Sequence, residues 1–188
     1  MAGDPPIRRL SSRLIYENPW MRLREDAIRR PAGEGIYAVI EKPQAGLVVP
    51  WDGEHLHLVG QWRYTVERYS WEFPQGALHD VAGASGEEVA RTELVEETGL
   101  RAARMLPLGR FTFAVGMSNQ WCDAFLACDL EAGEPQPEAE EEGLLTTRAV
   151  TVDAFEAMVR SGEVYDAASV AAWGLVLLDP AARTEFGR

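Results

Sequence analysis

The chain has 188 residues, of which 46% are hydrophobic and 26% are charged, and it carries a net charge of −12. This length can bury one good hydrophobic core, whereas the acidic balance argues against nucleic-acid binding, which depends on clustered lysines and arginines. The sequence has no long apolar run and no basic, apolar leader, so we expect a cytoplasmic protein that does not span a membrane.

Three short strands are predicted before residue 45, at residues 13–16, 21–28 and 36–41. Turn signals at Asn18-Pro19 and at residues 31–33 separate them. The strands mix polar with apolar residues, so they should form a small antiparallel sheet with an exposed edge or face. Because so few strands bury little of their own surface, we predict that they complete a symmetric homodimer.

The rest of the chain alternates strands with a few helices. Strands are predicted at residues 45–51, 55–62, 70–73, 105–112, 121–129 and 144–150, and two later helices at residues 152–160 and 167–178. This order favours an α/β fold in which a mixed sheet is covered on both faces. Cys122 and Cys128 are too few for a four-ligand zinc site, and a disulfide is not expected in the cytoplasm, so both should be buried.

A further helix is predicted between residues 85 and 99, and both of its ends are marked in the sequence. Ser85 is a typical N-cap, and Glu88 three residues later completes a capping box. Gly99 is expected to end the helix in the left-handed conformation.

Three glutamates of this helix, Glu93, Glu96 and Glu97, stand at i, i+3 and i+4. Their side chains therefore fall within an arc of roughly 100°. Like charges this close repel, and a hard divalent cation such as Mg²⁺ is the usual reason to keep them together. A solvated acidic face is the alternative, and the spacing alone favours it. The sequence around the helix reverses that preference.

The segment before the helix, Trp71-Glu72-Phe73-Pro74-Gln75-Gly76, is typical of a strand end that leads into a glycine-bearing loop. Together with the helix it resembles the Nudix box, G-x5-E-x7-R-E-U-x-E-E-x-G-U, in which U is aliphatic. The residues that match in register are Glu93, Leu94, Glu96, Glu97, Gly99 and Leu100. Thr92 stands at the box arginine, Ala84 stands at the first glutamate, and the loop from Gly76 is two residues longer than the pattern.

Several pieces outside the box are similar to the ADP-ribose pyrophosphatase branch of the Nudix hydrolases. They are Gly60-Gln61-Trp62-Arg63-Tyr64, the segment from Glu72 to Gly76, Gly116-Met117-Ser118-Asn119 and the stretch from Ser161 to Asp166. The resemblance implies a Nudix-type α/β/α sandwich with a mixed sheet at residues 45–188. It also implies a small antiparallel sheet at residues 1–44 that joins two subunits, so that each active site borrows residues from its neighbour.

The resemblance further implies a metal site. Glu93 and Glu97 would be metal ligands, Glu96 would support a further metal, and the main-chain carbonyl of Gln75 would supply another oxygen. Mg²⁺ is the expected cofactor, with Mn²⁺ as a substitute. The metals would neutralise the diphosphate and orient a water, which a glutamate deprotonates for attack on phosphorus.

The catalytic glutamates are expected on the helix, at Glu93 and Glu96, and in an acidic loop after the core strands. Residues 129–142 hold seven acids and no base, which by default predicts a solvated loop. In the related branch such a loop commonly carries the catalytic base, and the glutamates available here are Glu138, Glu140, Glu141 and Glu142. Glu141 or Glu142 would be best placed, and the sequence does not choose between them.

Four residues are candidates for substrate binding. The resemblance implies that Arg63 meets the pyrophosphate and that Trp20 and Tyr37 sandwich the nucleobase. Ser118 is a candidate substrate contact rather than a nucleophile, because no base is positioned near it in the sequence. Purely structural roles are open as well. Arg63 could pair with Glu72, and the two aromatics could pack in the core or in a dimer interface.

The expected reaction is Mg²⁺-dependent hydrolysis of a nucleoside diphosphate sugar, first of all ADP-ribose, to NMP and a sugar phosphate, with GDP-mannose and ADP-glucose as substitutes. Such an anionic substrate would be repelled by the electrostatic field of the negatively charged protein, so bound metal and local arginines must offset that repulsion. The local candidates are Arg63, Arg68 and Arg110. A Nudix-fold nucleotide-binding or interaction module with little turnover is the alternative, because Thr92 and Ala84 depart from the box. The retained glutamates favour the enzyme, since a binding module gains nothing from their repulsion.

Overall fold

The computed structural model describes residues 5–77, 83–136 and 143–187. The chain forms two compact units: Met1–Pro43 with Thr112–Trp121, and Gln44–Phe111 with Cys122–Arg188. Within the described ranges, no helix is long and apolar enough to cross a membrane.

The first unit contains a three-stranded antiparallel sheet in the order β1-β2-β3. Its strands are β1 Arg8–Asn18, β2 Met21–Arg30 and β3 Gly33–Glu41, and each is longer than predicted. Asn18 makes the first turn, because its side-chain oxygen accepts the backbone N–H groups of Trp20 and Met21. The antiparallel sheet predicted from the sequence is thus present.

Most apolar side chains of this sheet are exposed. Among the described hydrophobic residues of its three strands, Ile28 alone is buried. The exposed large hydrophobic residues of the strands and the first turn are Leu10, Leu14, Ile15, Tyr16, Trp20, Ile36 and Tyr37. An apolar surface of this kind is typical of a face that binds another protein.

The second unit contains seven strands and four α-helices within its described residues. The strands are β4 Ala45–Pro50, β5 Leu56–Arg63, β6 Arg68–Glu72, β7 Gln75–Gly76, β8 Arg101–Thr112, β9 Trp121–Glu131 and β10 Thr146–Val150. The helices are α1 Gly86–Thr98, α2 Val152–Ser161, α3 Ala167–Leu178 and α4 Pro180–Glu185, and a 3-10 turn covers Tyr64–Val66. The helix predicted between residues 85 and 99 is α1, whereas β7, the 3-10 turn and α4 were not predicted.

The strands of the second unit form two sheets. A mixed sheet has the order β7-β4-β9-β8, with β4 parallel to β9 and antiparallel to β7. A three-stranded antiparallel sheet has the order β10-β5-β6. The mixed sheet was predicted. The sequence did not separate the second sheet, because β5 pairs there with β10, which lies far along the chain.

Strands β4 and β9 form the centre of this unit, because both of their faces are buried. Alternate residues of a strand point to opposite faces, so a strand covered on both sides needs a nearly continuous apolar run. On one face, Leu47 belongs to the same core cluster as Phe155 of α2 and Trp173 of α3. On the other face, Val48 packs in a cluster with Leu94 of α1. Helices thus cover both faces, which confirms the predicted α/β/α sandwich.

Cys122 and Cys128 are both free and buried, as predicted. Burial, together with the negative charges of Asp123 and Asp166, raises the pKa of the Cys122 thiol to about 12. Burial also raises the pKa of the Cys128 thiol to about 11. Both side chains therefore stay protonated near neutral pH and are poor nucleophiles.

Candidate active site

Helix α1 begins and ends where the sequence predicts. The Ser85 hydroxyl oxygen accepts the Glu88 N–H at 3.2 Å, and the Glu88 carboxylate accepts the Ser85 N–H at 2.8 Å, which completes the capping box. Gly99 ends the helix with a left-handed φ of 74°, and its N–H donates to the Val95 carbonyl. The two caps set the extent of α1 and therefore the directions in which its glutamates project.

Glu93 and Glu97 lie against strand β7. The buried carboxylate of Glu97 accepts the backbone N–H of Gln75 at 3.2 Å. The Glu93 carboxyl group lies over Gly76, because a Cβ built on Gly76 would be only 2.5 Å from the Glu93 carboxyl carbon. The structure therefore brings Glu93, Glu97 and Gln75 together, as the hypothesis of a metal site requires, while their role as ligands stays a prediction.

Glu96 lies on another part of the helix surface. It lines a groove of about 460 Å³ between α1 and β8, together with Arg91, Thr92, Leu94, Val95, Arg101, Ala102 and Gln136. The backbone carbonyl of Glu96 accepts the N–H of Gln136 at 3.1 Å. The predicted roles of Glu96 in catalysis and in a further metal site stay predictions.

Arg91 does not take the place of the missing box arginine. Its Nε donates to Glu87 at 2.9 Å, and its Nη1 donates to the Ala102 carbonyl at 2.8 Å. These bonds hold the guanidinium toward the start of β8. Thr92, which stands at the arginine position, lines the same groove as Glu96. The Glu93 carboxyl group packs closely on Gly76 instead.

The oxygen atoms around β7 suit a hard cation. Mg²⁺ usually binds one or two protein carboxylates and completes its shell with water and substrate phosphates. Glu93 and Glu97 supply two carboxylates here, and the side-chain oxygen of Gln75 is buried without a hydrogen-bond partner. In the described ranges, no three His, Cys, Asp or Glu side chains are grouped as a metal site by themselves. The residues thus fit a cation that shares its coordination with water and substrate.

Arg63 pairs with Glu72, which is the alternative that its sequence position left open. Its Nε donates to the buried Glu72 carboxylate at 2.8 Å, and its Nη2 donates to the other carboxylate oxygen. Burial alone would lower the pKa of Arg63, but Glu72, Asp166 and Glu97 raise it overall. The guanidinium is therefore a fixed positive charge among carboxylates near the candidate metal site. Its contact with a pyrophosphate stays a prediction.

The other two candidate arginines are engaged elsewhere in the fold. The Arg68 guanidinium stacks on the Tyr165 ring at 4.8 Å and donates to the Gly162 carbonyl. Arg110 makes two hydrogen bonds to the Asp123 carboxylate, at 2.6 and 3.1 Å, which raise its pKa. Neither contact involves Glu93 or Glu97.

Three substrate-binding candidates belong to the first unit. Trp20 is 49% exposed and Tyr37 is 39% exposed, so neither is a core residue. The Tyr37 hydroxyl donates to the Gly116 carbonyl at 3.0 Å. Ser118 pairs with Ile40 in a single parallel bridge, and its hydroxyl oxygen accepts the Gln120 N–H. Tyr37 thus contacts the segment of residues 116–120, which contains Ser118. The substrate contacts of both residues stay predictions.

The four glutamates proposed as catalytic bases, Glu138, Glu140, Glu141 and Glu142, lie outside the described residues. Sequence reasoning overlooked Asp166, which accepts a hydrogen bond from the Gln75 side chain at 2.8 Å. The available signal was its position at the end of the Ser161 to Asp166 stretch, directly before a helix whose third residue is Ser169.

Comparison with known proteins agrees with this geometry. A model of the nucleoside diphosphate sugar hydrolase N-terminal domain matches residues 7–40, and the NUDIX domain model matches residues 41–173. A solved structure of an ADP compounds hydrolase has a TM-score of 0.79 and 21% identity, and the match covers 94% of this chain and 95% of that one. It is a likeness of fold.

Two curated relatives match most of the chain. An ADP-ribose pyrophosphatase of Mycobacterium tuberculosis (strain ATCC 25618 / H37Rv) is 32% identical over 86% of this chain and 79% of its own length. An ADP-ribose pyrophosphatase of Bacillus subtilis (strain 168) is 28% identical over 77% of this chain and 71% of its own length. With a NUDIX model covering most of its length and two glutamates of the box, Glu93 and Glu97, gathered at β7, the chain belongs to the NUDIX family and is a Nudix hydrolase.

Proposed function

We propose that this protein hydrolyses a nucleoside diphosphate sugar, first of all ADP-ribose, to NMP and a sugar phosphate, with Mg²⁺ as cofactor and Mn²⁺ as a substitute. The observation that carries the proposal is the convergence of Glu93 and Glu97 on Gln75 and Gly76. Two relatives named ADP-ribose pyrophosphatase support this substrate class. Nudix hydrolases generally need a divalent metal, and the oxygen donors at β7 favour Mg²⁺ over softer ions.

In this proposal, Glu93, Glu97 and the main-chain carbonyl of Gln75 hold the metal, and Glu96 supports a further one. When bound, the metal neutralises the diphosphate and polarises its oxygens. A glutamate, at Glu96 or in the acidic loop at Glu141 or Glu142, takes the proton of a water molecule. The water oxygen bonds to one phosphorus while the bond from that phosphorus to the bridging oxygen breaks, which leaves NMP and a sugar phosphate.

Arg63 contributes a positive charge at the pyrophosphate. Its Nε and Nη2 face Glu72, so that Nη1 is the nitrogen left for a phosphate oxygen. Glu72 thereby fixes the plane of the guanidinium, which lowers the entropy lost when phosphate binds. The negative charges of Glu72, Asp166 and Glu97 act on the Arg63 guanidinium. The binding of an anionic substrate therefore depends on the positive charge of the metal as well as on Arg63.

The first unit supplies nucleobase binding and dimerisation in this proposal. Residues 1–44 form the N-terminal subdomain, and residues 45–188 form the hydrolase domain. Trp20 and Tyr37 are exposed aromatics suited to stacking on a base, and Ser118 is a polar contact. The exposed apolar side chains of β1 and β3 support a homodimer. A cytoplasmic location, expected from the sequence, is part of the same proposal.

A panel of nucleotide sugars tests the proposal directly. ADP-ribose, ADP-glucose and GDP-mannose would be incubated with Mg²⁺, with Mn²⁺ and with a chelator, and released NMP would be measured. We expect metal-dependent release of AMP from ADP-ribose at the highest kcat/KM of the three. Release of inorganic phosphate in place of NMP, or equal turnover in the chelator, would contradict the assigned reaction.

A further inference from the structure

The carboxamide of Gln75 connects the candidate metal site to helix α3. Its Nε2 donates to Asp166 at 2.8 Å and lies 3.4 Å from the Glu72 carboxylate. The backbone N–H of the same residue donates to Glu97 at 3.2 Å. Gln75 thus touches Glu97 through its backbone and Asp166 through its side chain.

Asp166 is also the N-cap of α3. Its Oδ2 accepts both the N–H and the hydroxyl of Ser169, each at 2.8 Å. The Ser169 hydroxyl oxygen in turn accepts the N–H of Phe73 at 2.9 Å, and both of these residues are fully buried. Phe73, just before β7, and Gln75, the first residue of β7, are therefore both hydrogen-bonded to the N-terminal end of α3.

This connection matters because β7 is short and closely packed. It contains only Gln75 and Gly76, and two residue pairs join it to β4. The Glu93 carboxyl group lies so close to Gly76 that there is no room for a Cβ. A displacement of β7 by a few tenths of an ångström would therefore disturb both the hydrogen bond from Gln75 to Glu97 and the packing of Glu93 on Gly76. Functional groups generally have to be held within about 0.5 Å of their working geometry.

We infer that Asp166 is a positioning residue for the metal site: through the Gln75 carboxamide it holds β7 against Glu93 and Glu97. Asp166 touches neither metal nor substrate in this role. The inference rests on the proposed function, because it takes Glu93 and Glu97 to be the metal ligands. Its physical basis is a partly buried charge-assisted hydrogen bond, which is stronger and more directional than a neutral one.

The test uses Mn²⁺ alone as a probe, so that it does not depend on turnover. Asp166→Ser keeps a hydroxyl that can cap α3, but the shorter side chain cannot reach Gln75. Asp179→Ser is the matched control, because Asp179 caps α4 through the Ala182 N–H and has no bond to Gln75. Mn²⁺ binding to each variant would be measured by calorimetry, together with its thermal unfolding.

Asp166→Ser should weaken Mn²⁺ binding about tenfold, as is typical when a residue that orients a ligand is lost. Asp179→Ser should leave Mn²⁺ binding unchanged, although its Tm should fall about as much as that of Asp166→Ser. Amide exchange at Gln75 should become faster in Asp166→Ser and not in the control, since the donor to Glu97 is held less firmly. Equal Mn²⁺ affinity in the two variants, or unchanged exchange at Gln75, would overturn the inference.

A double-mutant cycle identifies the route of the effect. Gln75→Leu removes the carboxamide and keeps the backbone N–H, so it should weaken Mn²⁺ binding by a similar factor. Combining it with Asp166→Ser should add little, because both changes break the same link. Additive effects would overturn the inference. If Glu97→Gln left Mn²⁺ binding intact, by contrast, the metal site of the proposed function would be wrong, while the exchange result would still report on the Asp166 link.

Discussion

Replacing Gly76 with alanine would place a methyl group against the Glu93 carboxyl group. The new Cβ would lie 2.5 Å from the carboxyl carbon, whereas ordinary van der Waals contacts begin at 3.4 Å. The carboxyl group would therefore have to move by about 1 Å. A misplacement of this size costs about a hundredfold in rate, which is about 2.7 kcal/mol of transition-state stabilisation.

The same substitution should leave the fold intact. The displaced atoms are the far end of the flexible Glu93 side chain, and no backbone atom is among the nearest three. Alanine also restricts the unfolded chain, which stabilises a protein by about 0.4–1 kcal/mol where the native backbone accepts it. Gly174→Ala in α3 is the control, because a Cβ there meets nothing within 4 Å.

The assay compares kcat/KM for ADP-ribose and Tm in the parent, Gly76→Ala and Gly174→Ala. We expect Gly76→Ala to lose about a hundredfold in kcat/KM with a Tm close to that of the parent, and Gly174→Ala to keep its activity. Parental activity in a folded Gly76→Ala would refute the reasoning, because it would mean that the position of Glu93 over Gly76 has no part in turnover. A collapse of Tm would refute the claim that only a side chain has to move.

Four further outcomes are expected. Glu97→Gln should lower metal-dependent turnover by more than about a hundredfold, because it removes a ligand charge and preserves size; near-normal rates would contradict the site. Thr92→Arg should lower the Mg²⁺ concentration for half-maximal rate, because an arginine there normally pairs with helix carboxylates; an unchanged value would mean that Gly76 packing already orients Glu93. Light scattering should give about twice the mass of one chain, and an active monomer would contradict the shared-site hypothesis. Cys122 and Cys128 should resist a thiol reagent at pH 8 until the protein is unfolded, because burial raises their pKa to about 12 and about 11; rapid labelling of the native protein would contradict their burial.

Local sequence determined helix α1 and its two ends. Ser85 and Glu88 satisfy each other's backbone N–H groups, and Gly99 adopts a conformation that other residues avoid. These signals act within one or two turns, so they can be read without knowledge of the fold. The same holds for the i, i+4 spacing of Glu93 and Glu97, which a helix places on one side. The strands β4 and β9 were predictable because strands covered on both faces need continuous apolar runs.

Tertiary structure alone decided which surface the glutamates face. Gln75 and Asp166 are 91 positions apart in the chain, and Arg63 meets Glu72 only because β5 and β6 pair. The short β7 has too few residues for any periodic signal, and its position follows from pairing with β4. Spacing on a helix specifies a direction but not what lies in that direction. The partner of each functional side chain was therefore set by strand pairing and helix packing between distant segments, which local sequence patterns do not encode.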